Sequence, residues 1–221
     1  MGATDRRRER AVRALDGYAS GPDAPILATA RALARLDDAD AVVLVEGISD
    51  QIAVETAAVG RGRDLDAERI VVVPIGGAHA IGRFLTGLGP LGGRVRLAGL
   101  CDRREEELFR RGLAARLGAS APFGGMEYLG FHVCVDDLED ELIRAVGAAA
   151  VEVLFDAEGD LGSFRSLQAQ PAWRGRPLDA QMRRFLGSGS RRKLRYARLL
   201  VETAVGRDGL PRPLDALLAT V

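Results

Sequence analysis

The sequence predicts an α/β fold built on a mainly parallel sheet of about four strands. Short apolar, β-branched runs recur along its first two-thirds, as buried parallel strands require. Segments of helical period separate them, which is the rhythm of crossover-connected strands. The length, 221 residues, suits one large domain or two small ones. A chain of that size removes roughly 70% or more of its unfolded surface from water, so it needs no disulfide or metal to fold.

The elements follow in order. Thr4 is placed to cap a helix running to about Tyr18, and Gly21-Pro22-Asp23 interrupts it. Asp23 is placed to cap a second helix, whose apolar positions Ile26, Leu27, Ala30, Leu33 and Leu36 follow a helical period. Strand-like runs then come at 41–45, 70–75, 95–101 and 131–135, with helical segments at 50–59, 78–88 and 105–117 between them. From Asp137 onward the pattern is helical throughout, and no repeat is evident. The expected organisation is an N-terminal helical segment (1–40), an α/β unit (41–147) and a basic C-terminal helical extension packed on it (148–221).

Composition excludes several functions. No apolar run approaches the roughly 18 residues of a membrane helix. The basic N-terminus has no apolar stretch behind it, so it is no secretory signal, and the arginines after Gly2 argue against lipidation. A cytoplasmic protein is expected. Cys101 and Cys134 sit in apolar runs and read as small buried hydrophobes. With two histidines and two cysteines, a Cys/His zinc site is nearly excluded. His79 and His132 read as structural. The only lysine, Lys193, lies between Arg192 and Leu194, so no Walker motif exists and Gly187-Ser188-Gly189-Ser190 does not begin one. That turn is either a phosphate cradle or a plain connector. Gly76-Gly77 reads as a tight strand-to-helix turn, since no G-x-G-x-x-G follows.

The net charge of zero conceals two opposed blocks. Residues 127–160 hold ten acids and one base, and residues 162–199 hold ten bases and one acid. Either the two blocks pair as solvated helical faces, or an acidic metal site lies beside a basic strip that holds phosphates. In the second case Arg183, Arg184, Arg191, Arg192 and Arg195 form the nucleic-acid strip. Trp173 is a packing anchor in one reading and a base-stacking platform in the other.

Three of the strand-like runs end in acid: Glu46 and Asp50 after the first, Asp102 after the third, and Asp136, Asp137, Glu139 and Asp140 after the fourth. A lone acid there is usually a helix cap. Three acidic ends on one sheet edge repel unless a hard cation neutralises them, and oxygen-only ligands select Mg²⁺, Mn²⁺ or Ca²⁺.

With Leu44-Val45-Glu46-Gly47-Ile48-Ser49-Asp50 after the first strand, Pro74-Ile75-Gly76-Gly77 after the second and Asp102 after the third, the sequence resembles the Toprim domain. The form is that of the overcoming-lysogenization-defect (OLD) nucleases. The resemblance implies a Toprim-like Rossmannoid sheet and metal-dependent endonuclease (phosphodiesterase) activity on DNA, with RNA not excluded. It implies Mg²⁺ or Mn²⁺ held by Glu46, Asp50, Asp102 and Glu139, with Glu46 and the helper Lys193 as catalytic residues. The motif's second aspartate falls at Arg104, so Glu105 or Glu106 substitutes for it, or a metal site is weakened; otherwise Glu105 to Glu107 are the acidic first turn of a helix. OLD nucleases usually carry an ATPase domain before Toprim; here only about 40 residues precede it, so an ATPase partner is expected to be a separate chain. A degenerate Toprim module that binds nucleic acid or that ATPase without cleaving is the alternative, and nucleotidyl transfer ranks below both.

Overall fold

The computed structural model describes residues 17–18, 21–89, 95–117, 125–207 and 209–221. The four apolar runs become β1 (Ala41–Val45), β2 (Ile70–Pro74), β3 (Arg96–Asp102) and β4 (Phe131–Cys134). They form one sheet of order β2-β1-β3-β4, with every pairing parallel. All positions of β1 and β2 are buried, which is why their sequences run apolar without alternation.

Between and after the strands lie α1 (Ala24–Leu33), α2 (Ile48–Gly60), α3 (Ile81–Gly87), α4 (Glu106–Leu117) and α5 (Leu138–Val146). The helical C-terminal part contains α6 (Ala148–Ala157), α7 (Leu161–Ala169), α8 (Leu178–Leu186), α9 (Ser190–Val205) and α10 (Arg212–Thr220). The helix expected from Thr4 falls almost wholly outside the described residues.

Successive β1 residues face opposite sides of the sheet and belong to two separate cores. Val43 and Val45 join Leu100, Leu142, Phe155, Tyr196 and Leu217 on one side. Val42 and Leu44 join Val73, Ile81, Phe109 and Phe131 on the other. On the first side α9 lies along α2 and also touches α5, which carries the start of α9 toward the ends of β1 and β4. Within β3, Gly99 leaves room for its neighbour: a Cβ there would lie 2.5 Å from the Phe131 ring.

The helix expected after Asp23 forms, but its periodic apolar positions do not make its buried face: Ile26, Leu27 and Leu33 are 72%, 46% and 42% exposed. The buried stripe is Ala24, Ala28 and Ala32, and of the five periodic positions only Leu36, just past the helix, is buried. Small side chains let α1 approach β2 closely, and Thr29 Oγ1 donates to the Pro74 carbonyl at 2.6 Å. Asp23 precedes α1, but its side chain makes no capping hydrogen bond. The cysteines are buried and unpaired as expected. His132 is buried, with its Nε2 3.0 Å from Thr220 Oγ1, whereas His79 is exposed.

Candidate active site

Strand order reverses between β1 and β3, because β1 connects to β2 on one side and β3 lies on the other. Open parallel sheets bind ligands at the carboxyl ends of strands beside such a switch point. Glu46 follows β1 and Asp102 ends β3, so both stand there. The backbone N–H of Asp102 donates to Glu46 Oε1 at 3.2 Å. At the start of α2, Asp50 Oδ2 accepts the Gly47 N–H at 2.9 Å. Asp50 thus is a helix-terminal cap, and it also shares the field of the other acids.

Asp137 caps α5 by accepting the Asp140 N–H at 2.8 Å. That cap sets the first turn of α5 against the sheet edge and brings in Glu139. Lys193, in the first turn of α9, lies with its Nζ 3.1 Å from Glu139 Oε1. Four of the carboxylates singled out from the sequence therefore gather around one amine.

Their electrostatics reflect that imbalance. Burial pushes Glu46 up to about 7 from an ordinary 4.5, against the Asp102 N–H bond, and Asp50 and Glu105 add repulsion. Burial also pushes Asp102 up to about 8, helped by Asp50, Glu46, Asp137 and Glu139. Asp50 and Glu139 are raised chiefly by burial, with Lys193 opposing. Burial alone would lower Lys193, but Glu139, Asp50 and Asp102 outweigh it and raise the amine. Among the described residues no three carboxylate, cysteine or histidine groups already stand in metal-binding geometry. The donor set nevertheless fits a hard divalent cation: it is all carboxylate oxygen, and its charge is incompletely countered.

Not every predicted residue joins this group. Glu106 opens α4 and pairs with Arg103 at 3.4 Å, while the acid of that turn which acts on Glu46 is Glu105. Arg104, at the place of the motif's second aspartate, is exposed in the turn after β3.

The basic strip divides. Arg195 must be removed from it: the residue is 8% exposed, bonds to Asp160 and lies 3.6 Å from Glu158. Its guanidinium cannot leave that site for a phosphate without abandoning buried carboxylates. Arg192 is drawn partly inward, with its guanidinium 4.0 Å from the Phe185 ring centre. Arg183 reaches Asp136 at 3.4 Å and Asp137 at 3.5 Å. Arg184 and Arg191 are exposed and form no ion pair among the described residues. Much of the charge opposition in the sequence is thus internal pairing.

Sequence reasoning missed the buried acid Asp160, which accepts the Tyr196 hydroxyl at 3.0 Å across 36 positions. Only three-dimensional proximity reveals such a pair. Trp173 packs against the first core, in keeping with a packing anchor. In the glycine-serine turn, Ser188 Oγ donates to the Phe185 carbonyl at 2.7 Å, which suits a connector leading into α9.

A cleft of about 750 Å³ opens beside Glu46 and Lys193 and runs between the β2–α3 turn, the start of α1 and the start of α9.

A parallel sheet of order 2-1-3-4, with a glutamate after its first strand and an aspartate ending its third, defines a Toprim-like domain. Residues 39–102 match the family model described as "Overcoming lysogenization defect protein-like, TOPRIM domain". This part of the chain is therefore similar to the Toprim domain of OLD-like proteins. Among solved structures, the C-terminal region of the Burkholderia pseudomallei OLD protein is similar at a TM-score of 0.59 and 15% identity, over 82% of this chain and 96% of that one. The C-terminal region of the Xanthomonas campestris pv. campestris OLD protein is similar at a TM-score of 0.60 and 22% identity, over 82% of this chain and 93% of that one. At those identities the likeness shows the fold. No curated protein matches the sequence. Among the described residues, no helix is long and apolar enough to cross a membrane.

Proposed function

We propose that the chain is a divalent-metal-dependent nuclease that hydrolyses phosphodiester bonds in DNA. The observation that carries this reading is the surplus of carboxylates at the β1/β3 switch point, four acids around the single amine of Lys193. Domains of this family are in general nucleases. Glu46, Asp50, Asp102 and Glu139 would hold Mg²⁺ or Mn²⁺. Such an ion, when bound, lowers the pKa of a bound water and offsets charge on phosphoryl oxygens.

The chain's own residues supply the rest. The Asp102 N–H fixes the aim of Glu46. Asp50, tied to the Gly47 N–H, is held on the first turn of α2. Lys193 presents a compact cation, held charged by its acidic neighbours, where negative charge builds in the transition state. Arginine would bring a bulkier planar fork. Arg184 and Arg191 would track the phosphate backbone outside the cluster. The proposal includes a cytoplasmic location, an ATPase partner, and the 148–221 helices as an extension of a 41–147 catalytic unit.

A specific observation favours a second reading. Arg104 is exposed at the motif's second aspartate, as expected of a degenerate module that binds nucleic acid or an ATPase without cleaving. Incubation with plasmid and oligonucleotide substrates in Mg²⁺, Mn²⁺ or EDTA separates the two. Metal-dependent cleavage that disappears in Glu46→Ala supports the nuclease; salt-sensitive binding without cleavage in any metal supports the module.

A further inference from the structure

Three features outside the carboxylate cluster stand out: the exposed apolar side of α1, a polar groove around Glu55 and Tyr18, and the cleft that opens off Glu46. The cleft carries the argument furthest. Its volume, about 750 Å³, lies in the range of about 300–1,000 Å³ that accommodates a small organic ligand. Its walls are apolar, formed by Pro22, Pro25, Ile48, Pro74 and Leu194. The charged residues that line it are Glu46, Arg191 and Lys193, two of them from the carboxylate cluster.

The walls are fixed from behind. Ile48 and Pro74 are buried, and the Thr29 hydroxyl bonds the Pro74 carbonyl. Gly76 and Gly77 both donate to the Glu46 carbonyl, at 3.1 and 3.0 Å, so that turn is held against the site. Both have positive φ, and a Cβ on either would project into open space, leaving this side of the cleft wide. The void therefore joins charged groups of the cluster to an otherwise largely apolar lining. A nucleotide has the matching division, a phosphate joined to a planar base.

We propose that this cleft takes the base of the nucleotide next to the scissile phosphate, so that the substrate is unpaired there, a reading that rests on the nuclease proposal. A base inside a duplex is stacked and paired and cannot enter a concave cleft. A base in a single strand, flap or frayed end can do so without that unpairing cost. Arg191, which forms no ion pair among the described residues, is placed to bind the phosphate of the inserted nucleotide. It is thereby a specificity residue.

The test uses the full chain with Ca²⁺ in place of Mg²⁺, so that binding is read without relying on cleavage. The probes are a single-stranded oligonucleotide carrying 2-aminopurine, the same strand in a duplex, and the strand with one abasic position moved along it. The expected result is binding about tenfold or more tighter for the single strand, with a change in 2-aminopurine emission, and a loss of affinity of about tenfold at one abasic position. Ser190→Leu, at an exposed position on the cleft wall, and Arg191→Ala each weaken single-strand binding without lowering the melting temperature. The abasic penalty disappears in Ser190→Leu. Equal binding of duplex and single strand, or no position-specific abasic penalty, overturns the proposal. Cleavage in Mg²⁺ is scored separately. If no substrate is cut while the abasic penalty holds, the nuclease reading fails and the cleft stands as a nucleotide-binding site.

Discussion

Two charged clusters flank the N-terminal half of α9, which carries Lys193 in one and Arg195 and Tyr196 in the other. At its first turn Lys193 faces Glu46, Asp50, Asp102 and Glu139, with carboxylates in excess and a cleft open beside them. Near the same helix, Arg195 and Tyr196 turn inward to Asp160 and Glu158, closed over by the Phe155, Phe164 and Phe185 rings. In sequence Glu139 and Lys193 of the first come from the same acidic and basic blocks as Glu158, Asp160 and Arg195 of the second. In space one is nearly sealed and its charges are matched, while the other is left short of positive charge. The matched, buried charge is internal pairing; the surplus at the strand-end cleft is the observation on which the metal proposal rests.

The comparison breaks most visibly if the sealed cluster is opened. Arg195→Ala leaves buried carboxylates without their partner and should cost about 3–5 kcal/mol in denaturant unfolding. An effect below about 1 kcal/mol would mean that the pair is not structural.

At the open cluster the expectation is reversed. Lys193→Arg should reduce metal-dependent cleavage about 10- to 100-fold while changing stability by less than about 1 kcal/mol. Cleavage equal to that of the parent would remove Lys193 from the mechanism.

The third expectation concerns pH. Glu46 and Asp102 titrate at about 7 and about 8 in the fold, above their ordinary 4.5 and 3.8. Folding therefore favours their protonated forms. That contribution is complete below about pH 4 and is lost as pH rises through 7 and 8. The metal-free melting temperature should fall across this window. Added Mn²⁺ should restore it, and more so at pH 8 than at pH 6, since ligation requires the deprotonated carboxylates. Removal of the metal with EDTA should restore the downward slope. A flat metal-free profile would show that the carboxylates are not crowded.

The smallest effect is expected at the exposed edge. Arg184→Ala should leave unfolding within about 0.5 kcal/mol of the parent. In DNA binding it should lower the salt slope by about one.

The sheet was legible because buried parallel strands need continuous apolar runs: β1 lies at Ala41–Val45 as its sequence indicates, and the other three strands shift by a residue or less. That the acidic ends of β1, β3 and β4 would meet was legible because topology sends strand ends to one edge; the choice of Glu46, Asp50, Asp102 and Glu139 among those acids came from the Toprim resemblance. The inner face of α1 was not legible, because periodicity favours large side chains, whereas Ala24 and Ala28 pack with Ile48, Ile52 and Ala197, and Ala32 joins the second core. Nor was the fate of Arg195. Charge along a chain does not reveal which arginine meets Asp160, 35 positions earlier in the sequence.

The most direct test of the open cluster is a crystal of the protein soaked in Mn²⁺ and measured at the manganese absorption edge. Anomalous density bounded by Glu46, Asp102 and Glu139, absent from Glu46→Ala crystals, is the predicted result. A fully soaked crystal with no manganese among those three carboxylates would contradict the account.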